Sequence, residues 1–220
     1  MNILITNRKK RLILISVFWL ILLTSMVSLP AKATIITFSD FIKFDGTGSG
    51  IPGLTATIED SGTPGTDKVK ITMDATALLG SDKITEWYFN VKLSGLATGD
   101  FSELFAASSL DAVDVDYDDL KADGDGKYDI QFTFSTSGNT FVAGDKSVWE
   151  IEKTGLDAMD FLDLSVPAGG SGPYYTAVKL GNAYWAPETH SVVPEPATML
   201  LLGSGLLGLA GLGRKKFFKK

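Results

Sequence analysis

The chain has 220 residues, with 20 Lys and Arg, 26 Asp and Glu, a single His and no Cys. The lack of cysteine excludes a disulfide scaffold, a zinc or iron–sulfur site with Cys ligands, and a cysteine nucleophile. The single histidine, His190, also excludes the zinc-enzyme ligand sets that need two or more histidines. The length suits one domain with short additional segments.

The net charge of −6 is unevenly distributed along the chain. Five basic residues lie in residues 1–33 and five more in residues 214–220, and neither region contains an acid. Residues 34–196 therefore carry ten lysines, no arginine and all 26 acids, a net charge of −16. A body of this charge repels phosphate backbones, which excludes nucleic-acid binding through a basic patch.

The first 33 residues predict a secretory signal peptide. A basic cluster at 8–11 precedes residues 12–29, eighteen residues without a charge, and Ala31 and Ala33 complete an Ala-x-Ala site. We expect the secretion machinery to export the chain and signal peptidase to cleave it after Ala33. An uncleaved membrane anchor is the alternative, because eighteen residues without a charge reach the lower limit for a spanning helix. Both interpretations place the body outside the cytoplasm, since the basic cluster stays inside.

Residues 34–192 predict a single all-β domain. Apolar and polar residues alternate in eight segments, at 34–44, 54–58, 68–75, 87–93, 127–134, 147–153, 161–166 and 174–180. This period of two, broken by turn residues, predicts an antiparallel β-sandwich of the jelly-roll or immunoglobulin-like type, with about eight strands. Residues 101–109, which follow Asp100 as an N-cap, predict one short helix. Residues 187–193 predict a linker after the domain.

The densest group of carboxylates lies between residues 111 and 129, which contain eight aspartates. Within this region, Asp123, Asp125 and Gly126 have the D-x-D-G spacing of calcium loops, in which alternating carboxylates surround a hard cation. We therefore identify Asp119, Asp123, Asp125 and Asp129 as candidate calcium ligands. The EF-hand pattern fails, because its first and twelfth positions fall on a lysine and a phenylalanine. A solvated acidic loop is the alternative.

The C-terminal segment contains three elements in a fixed order. Pro194, Glu195 and Pro196 precede residues 197–213, seventeen residues without a charge, and Arg214 begins the basic tail. A helix over 197–213 is about 25 Å long, which predicts a short transmembrane helix whose flanking lysines reach the membrane interface. A simple C-terminal anchor is the alternative, and it also leaves the body outside the cytoplasm.

This arrangement resembles the PEP-CTERM protein-sorting signal found in Gram-negative-type and cyanobacterial cells that make extracellular polysaccharide. The resemblance implies that an exosortase, a membrane protease-transpeptidase, recognises Pro194, Glu195 and Pro196 and removes the tail. Arg214 matches the start of the basic stop. The resemblance covers residues 193–220, and one departure from the pattern is the pair of phenylalanines at 217 and 218 inside an unusually long basic tail.

Together these features predict an exported, non-enzymatic protein of the cell surface or extracellular matrix. Its partners are signal peptidase, the exosortase and, until the tail is removed, the membrane. Alternatives are a calcium-stabilised adhesin, a carbohydrate-binding module for extracellular polysaccharide, or a carbohydrate-active enzyme. The aromatic residues available for a sugar platform are Tyr88, Tyr174, Tyr175, Tyr184 and Trp185. Because the chain has no G-x-S-x-G, P-loop or H-E-x-x-H motif, we predict no catalytic residues and no cofactor besides calcium.

Overall fold

A computed structural model describes residues 34–44, 50–61, 67–106, 108, 110–123, 126–170 and 172–194. These residues form ten β-strands and two short 3-10 helices. The strands are β1 (Thr34–Lys43), β2 (Thr55–Asp60), β3 (Lys68–Asp74), β4 (Ile84–Phe89), β5 (Phe101–Ala106), β6 (Leu110–Ala122), β7 (Gly126–Phe134), β8 (Lys146–Glu152), β9 (Thr176–Leu180) and β10 (Ala183–Pro194). The 3-10 helices span Thr98–Asp100 and Ala158–Phe161.

The ten strands belong to one antiparallel sheet, in the order β5-β8-β3-β2-β1-β10-β9-β4-β7-β6. The two strands at the ends of this order, β5 and β6, are consecutive in the chain, and the sheet is nearly closed and barrel-like. The predicted all-β antiparallel architecture is confirmed. All ten strands are hydrogen-bonded into a single sheet, and the predicted sandwich type is not confirmed. The ladder is continuous because β1 pairs with β2 on one side and with β10 on the other.

Alternation along each strand places one face of the sheet in a shared core. In β3, Val69, Ile71 and Met73 are fully buried, and the lysine and the threonine between them are partly exposed. Ile130 and Phe132 of β7 are buried in the same cluster. Each aliphatic or aromatic side chain removed from water in this way stabilises the fold by roughly 1.5–3 kcal/mol.

The described residues of the helix predicted over 101–109 do not form it. β5 occupies Phe101–Ala106 and pairs with β8. Asp100, the predicted N-cap, instead ends the 3-10 helix, where its carboxylate accepts a hydrogen bond from the Ala97 amide at 2.9 Å. Pairing with a distant strand therefore overrides the local preference for a helix.

Residues 187–193 do not form the predicted linker either, because β10 continues through them in pairing with β1. Pro187 lies opposite Phe41, and the preceding residue of β1, Asp40, has a left-handed φ of 55°. The Asp40 carboxylate accepts a hydrogen bond from the Thr189 hydroxyl at 2.8 Å. A proline predicts an interruption, but it can remain in a strand where the ladder is locally irregular.

Candidate functional site

The features predicted for processing meet at the end of the sheet where the chain enters β1 and leaves β10. Thr34, the residue after the predicted signal-peptidase site, lies directly opposite Pro194, the first residue of the Pro-Glu-Pro pattern. Thr34 is only 2% exposed, and its main-chain N–H donates a hydrogen bond to Oδ2 of Asp60 at 2.8 Å. Two positions that are far apart in the sequence therefore form one cross-strand pair.

The last residues before the Pro-Glu-Pro pattern are extended and held by the sheet. Val192 and Val193 lie opposite Ile36 and Ile35 of β1, and β2 supports β1 from its other side. The side chains of Val192 and Val193 are nevertheless 36% and 55% exposed. This segment is therefore fixed in its backbone conformation while its side chains are accessible from solvent.

Five of the eight aspartates between residues 111 and 129 are exposed along β6, which ends the strand order. They are Asp111, Asp114, Asp116, Asp118 and Asp119. Charged side chains on an edge strand oppose its pairing with another chain. Within the described residues, no group of three or more His, Cys, Asp or Glu side chains could hold a metal ion.

The four candidate calcium ligands have different surroundings. Asp119 lies 3.5 Å from the ammonium of Lys127. Asp123 occupies the turn after β6 with a left-handed φ of 50°, and Asp125 lies outside the described residues. Asp129 is buried and faces main-chain amides. Calcium binding by these residues stays a prediction.

Asp129 accepts main-chain hydrogen bonds where β7 loses the pairing of both neighbouring strands. On one side, β4 ends shortly before Val91, whose amide donates to Oδ2 of Asp129 at 2.8 Å. On the other side, the pairing of β6 with β7 is interrupted after Val115, and the Asp118 amide donates to Oδ1 at 2.9 Å. Burial raises the pKa of Asp129, and these two hydrogen bonds oppose that rise. The side chain thus satisfies two amides that the ladder leaves unpaired.

A second buried cluster lies on the opposite face of the sheet from the main core. Its members are Phe44, Tyr88, Ala122, Tyr128, Ala177 and Ala186, and Leu120, Tyr174 and Tyr184 pack against it. The cluster lies on that face because Tyr88 alternates with Trp87 and Phe89 of the main core along β4. The predicted sugar platform is therefore divided, since Tyr175 and Trp185 pack against the main core instead.

A carboxylate bonded by three donors lies beside this second cluster. Glu86 accepts hydrogen bonds from the hydroxyls of Tyr88 at 2.5 Å and Tyr184 at 3.1 Å, and from the Lys179 ammonium at 2.8 Å. Burial, together with Glu86, raises the pKa of Tyr88, and the hydrogen bond from Lys179 to Glu86 raises the pKa of Lys179. Lys179 also lies 5.3 Å from the centroid of the Tyr184 ring. These groups stabilise one another, and the network joins β4, β9 and β10.

Comparison with known protein families matches residues 192–215 to the PEP-CTERM protein-sorting motif. The chain carries a PEP-CTERM sorting signal. The match begins two residues before Pro194 and extends past Arg214, so it includes every residue predicted for the sorting motif. Searches of curated proteins and of solved structures find no match for the chain.

The PEP-CTERM signal overlaps the folded domain, since its first three matched residues, 192–194, are the last residues of β10. The motif implies export and a membrane-anchored precursor that an exosortase processes. Glu195, Pro196 and Arg214 lie outside the described residues, as do Ala31 and Ala33. No helix in the described part of the chain is long and apolar enough to span a membrane. The helix predicted over 197–213 lies outside that part.

Sequence patterns do not single out Asp60 or Glu86. Asp60 ends an alternating segment before a loop, and Glu86 occupies a polar position between apolar ones, as many strand residues do. Asp60 contacts Thr34, which lies 26 positions away in the sequence, and Glu86 contacts Tyr184, which lies 98 positions away. The only local signal is an acidic residue beside aromatic ones in β4, which does not identify its partners.

Proposed function

We propose that the protein is an exported, non-enzymatic structural or binding protein of the cell surface or extracellular matrix, delivered through exosortase processing of its PEP-CTERM signal. The pairing of Thr34 with Pro194 at the start of the matched motif carries the proposal. This pairing adds to the family match because Pro194 of the sorting motif lies opposite the residue that follows the predicted site of signal-peptide removal.

This pairing suits a precursor that is attached to one membrane at both ends. The predicted signal peptide adjoins Thr34, and the predicted transmembrane helix follows the motif that Pro194 begins. Both basic segments are expected to stay in the cytoplasm, so both attachments leave the body on the same side of the membrane. Antiparallel partners have Cα atoms only about 4.5–5.5 Å apart, so the domain can fold while either attachment is intact.

The surface charge supports a role in a hydrated matrix. The exposed aspartates of β6 contribute to a body with a net charge of −16, which favours cations or neutral polymers over anionic ligands. Two enclosed carboxylates, Asp129 and Glu86, already accept hydrogen bonds from the protein. This arrangement favours a structural role for them over acid–base chemistry.

Replacement of Glu195 tests the sorting step in a host that contains the exosortase. We expect Glu195→Gln to leave the full-length tail on the membrane-bound precursor, whereas wild type loses it. Glu188→Gln is the matched control, because Glu188 is exposed in β10 but lies outside the matched motif. Immunoblots of membrane and extracellular fractions measure the outcome. Equal tail removal in wild type and Glu195→Gln would refute recognition through this motif.

A further inference from the structure

Asp60 binds two main-chain nitrogens at the end of β2. Its Oδ2 accepts the N–H of Thr34 at 2.8 Å, and its Oδ1 accepts the N–H of Ala158 at 2.7 Å. Ala158 begins a 3-10 helix and is fully buried, and Thr34 is only 2% exposed. The carboxylate therefore joins the first residue of β1 to a helix that follows β8.

The nitrogen of Thr34 changes its chemistry if the signal peptide is removed after Ala33. Hydrolysis breaks the bond between the Ala33 carbonyl carbon and the Thr34 nitrogen. Water supplies the hydroxyl to the carbonyl carbon and a proton to the nitrogen, which takes up a further proton near neutral pH to become an ammonium. A neutral donor then becomes a charged one at the same position, 2.8 Å from a carboxylate oxygen. The bond to the amide already has a charged acceptor, and the ammonium adds a direct attraction between opposite charges at this distance.

We propose that Asp60 is the docking site for the mature amino terminus, where the Thr34 ammonium forms an ion pair with the Asp60 carboxylate. The inference rests on the proposed function, because it requires export and cleavage after Ala33. It assigns Asp60 a role that neither the sorting motif nor the fold implies by itself. Its ligand is a segment of the chain itself, the terminus that proteolysis creates.

The ion pair lies where it also affects the sorting motif. Thr34 is the cross-strand partner of Pro194, and β1 lies between β2 and β10 in the sheet. A free chain end frays readily unless something fixes it. By fixing Thr34 against β2, Asp60 keeps the strand that pairs with the final residues of β10 in place after the signal peptide is lost.

The test uses the full-length precursor, exported in a host without an exosortase and purified in detergent. Mass spectrometry identifies the amino terminus, and the rate of α-amine labelling measures how strongly the folded protein protects it. At a pH of about 8, near the ordinary pKa of an α-amino group, we expect labelling of the wild type to be about tenfold slower when folded than when denatured. This comparison uses only the wild-type protein, so it does not depend on the folding of any variant.

Variants then distinguish an ion pair with the Thr34 ammonium from a hydrogen bond to a neutral amide. We expect Asp60→Asn to remove the protection and to lower Tm by about 3–8 °C, given about 2–4 °C per kcal/mol for a chain of this size. In an Ala33→Leu precursor that keeps its signal peptide, Thr34 retains a neutral amide, so Asp60→Asn should lower Tm by less. Asp67→Asn is the matched control, because the Asp67 carboxylate also accepts a main-chain amide, that of Gly155 at 2.9 Å, and not that of Thr34. It should leave α-amine labelling unchanged.

The outcomes distinguish the docking site from the proposed function. If the mature chain begins at Thr34 but folding gives its amine no protection, the docking site is refuted while export stands. Equal Tm losses from Asp60→Asn in the cleaved and uncleaved proteins also refute it. If the mature chain begins elsewhere or keeps its signal peptide, the cleavage after Ala33 fails, and the docking site fails with it.

Discussion

Single carboxylates replace main-chain acceptors at several points where strands of this protein end. Asp60 bonds the first amide of β1, Asp100 bonds the Ala97 amide before β5, and Asp129 bonds two amides beside β7. A buried amide without an acceptor costs free energy comparable to a lost hydrogen bond. The aspartates of this acidic chain therefore include side chains that hold its backbone as well as those that face water.

Asp129→Ala should destabilise the protein whether or not calcium is present. The change leaves the Val91 and Asp118 amides without their acceptor, which we expect to lower the free energy of unfolding by about 2–4 kcal/mol. Thermal unfolding in excess calcium and in chelator measures the effect. Asp111→Ala is the control for loss of an exposed aspartate that is not a candidate calcium ligand, and we expect it to change the stability by less than about 0.5 kcal/mol. A loss for Asp129→Ala that occurs only in calcium would show that metal binding, and not the main chain, requires this carboxylate.

Two glycines in turns between strands have a left-handed backbone conformation. Gly53, in the turn before β2, has a φ of 84°, and a Cβ atom there would overlap the main-chain oxygen of Ala77. Gly95 has nearly the same φ, 85°, but an added Cβ would meet no atom within 4 Å. The two glycines therefore differ in the space around them and not in backbone conformation.

Gly53→Ala should be much more destabilising than Gly95→Ala. We expect Gly95→Ala to cost about 1–2 kcal/mol for the left-handed conformation alone, and Gly53→Ala to cost about 3 kcal/mol or more because the turns must also move apart. Chemical denaturation of the two variants measures the difference. Equal losses would mean that the turn containing Gly53 is not packed against Ala77.

The sequence pattern predicts the strands better than it predicts their pairing. The alternation over 68–75 and 127–134 identifies β3 and β7, because burial of one face determines which positions are apolar. The segment predicted at 87–93 overlaps only the last three residues of β4. The same alternation occurs in a sandwich and in a nearly closed sheet, so it does not determine that β1 pairs with β10. Pro187 and Asp100 are local signals that favour a linker and a helix, and long-range pairing overrides both.

In the candidate site as well, features formed by contiguous residues could be predicted from the sequence, and contacts between distant residues could not. The sorting motif was predictable because its residues are contiguous, and the family match at 192–215 confirms it. Its position at the end of β10, opposite Thr34, could not be predicted, since no local pattern records a cross-strand partner. Asp129 shows that the spacing of aspartates in the sequence does not by itself identify what they bind. Its place in an acidic series indicates calcium, whereas its contacts in the fold are two main-chain amides.

For the molecule as a whole, the uneven charge divides the precursor into parts with different roles. We expect the basic ends to direct the orientation of the precursor in the membrane, and the body with a net charge of −16 to function outside the cell. The sheet brings the two boundaries of that body together at Thr34 and Pro194. One folded end therefore presents both positions where the chain is expected to be processed.

Mass spectrometry of the mature protein from its native cells tests this account most directly, because one measurement defines both ends. We predict a chain that begins at Thr34 and lacks the apolar segment of residues 197–213 together with the basic tail from Arg214 onward. A mature protein that keeps the tail through residue 220 would contradict exosortase processing of the PEP-CTERM signal.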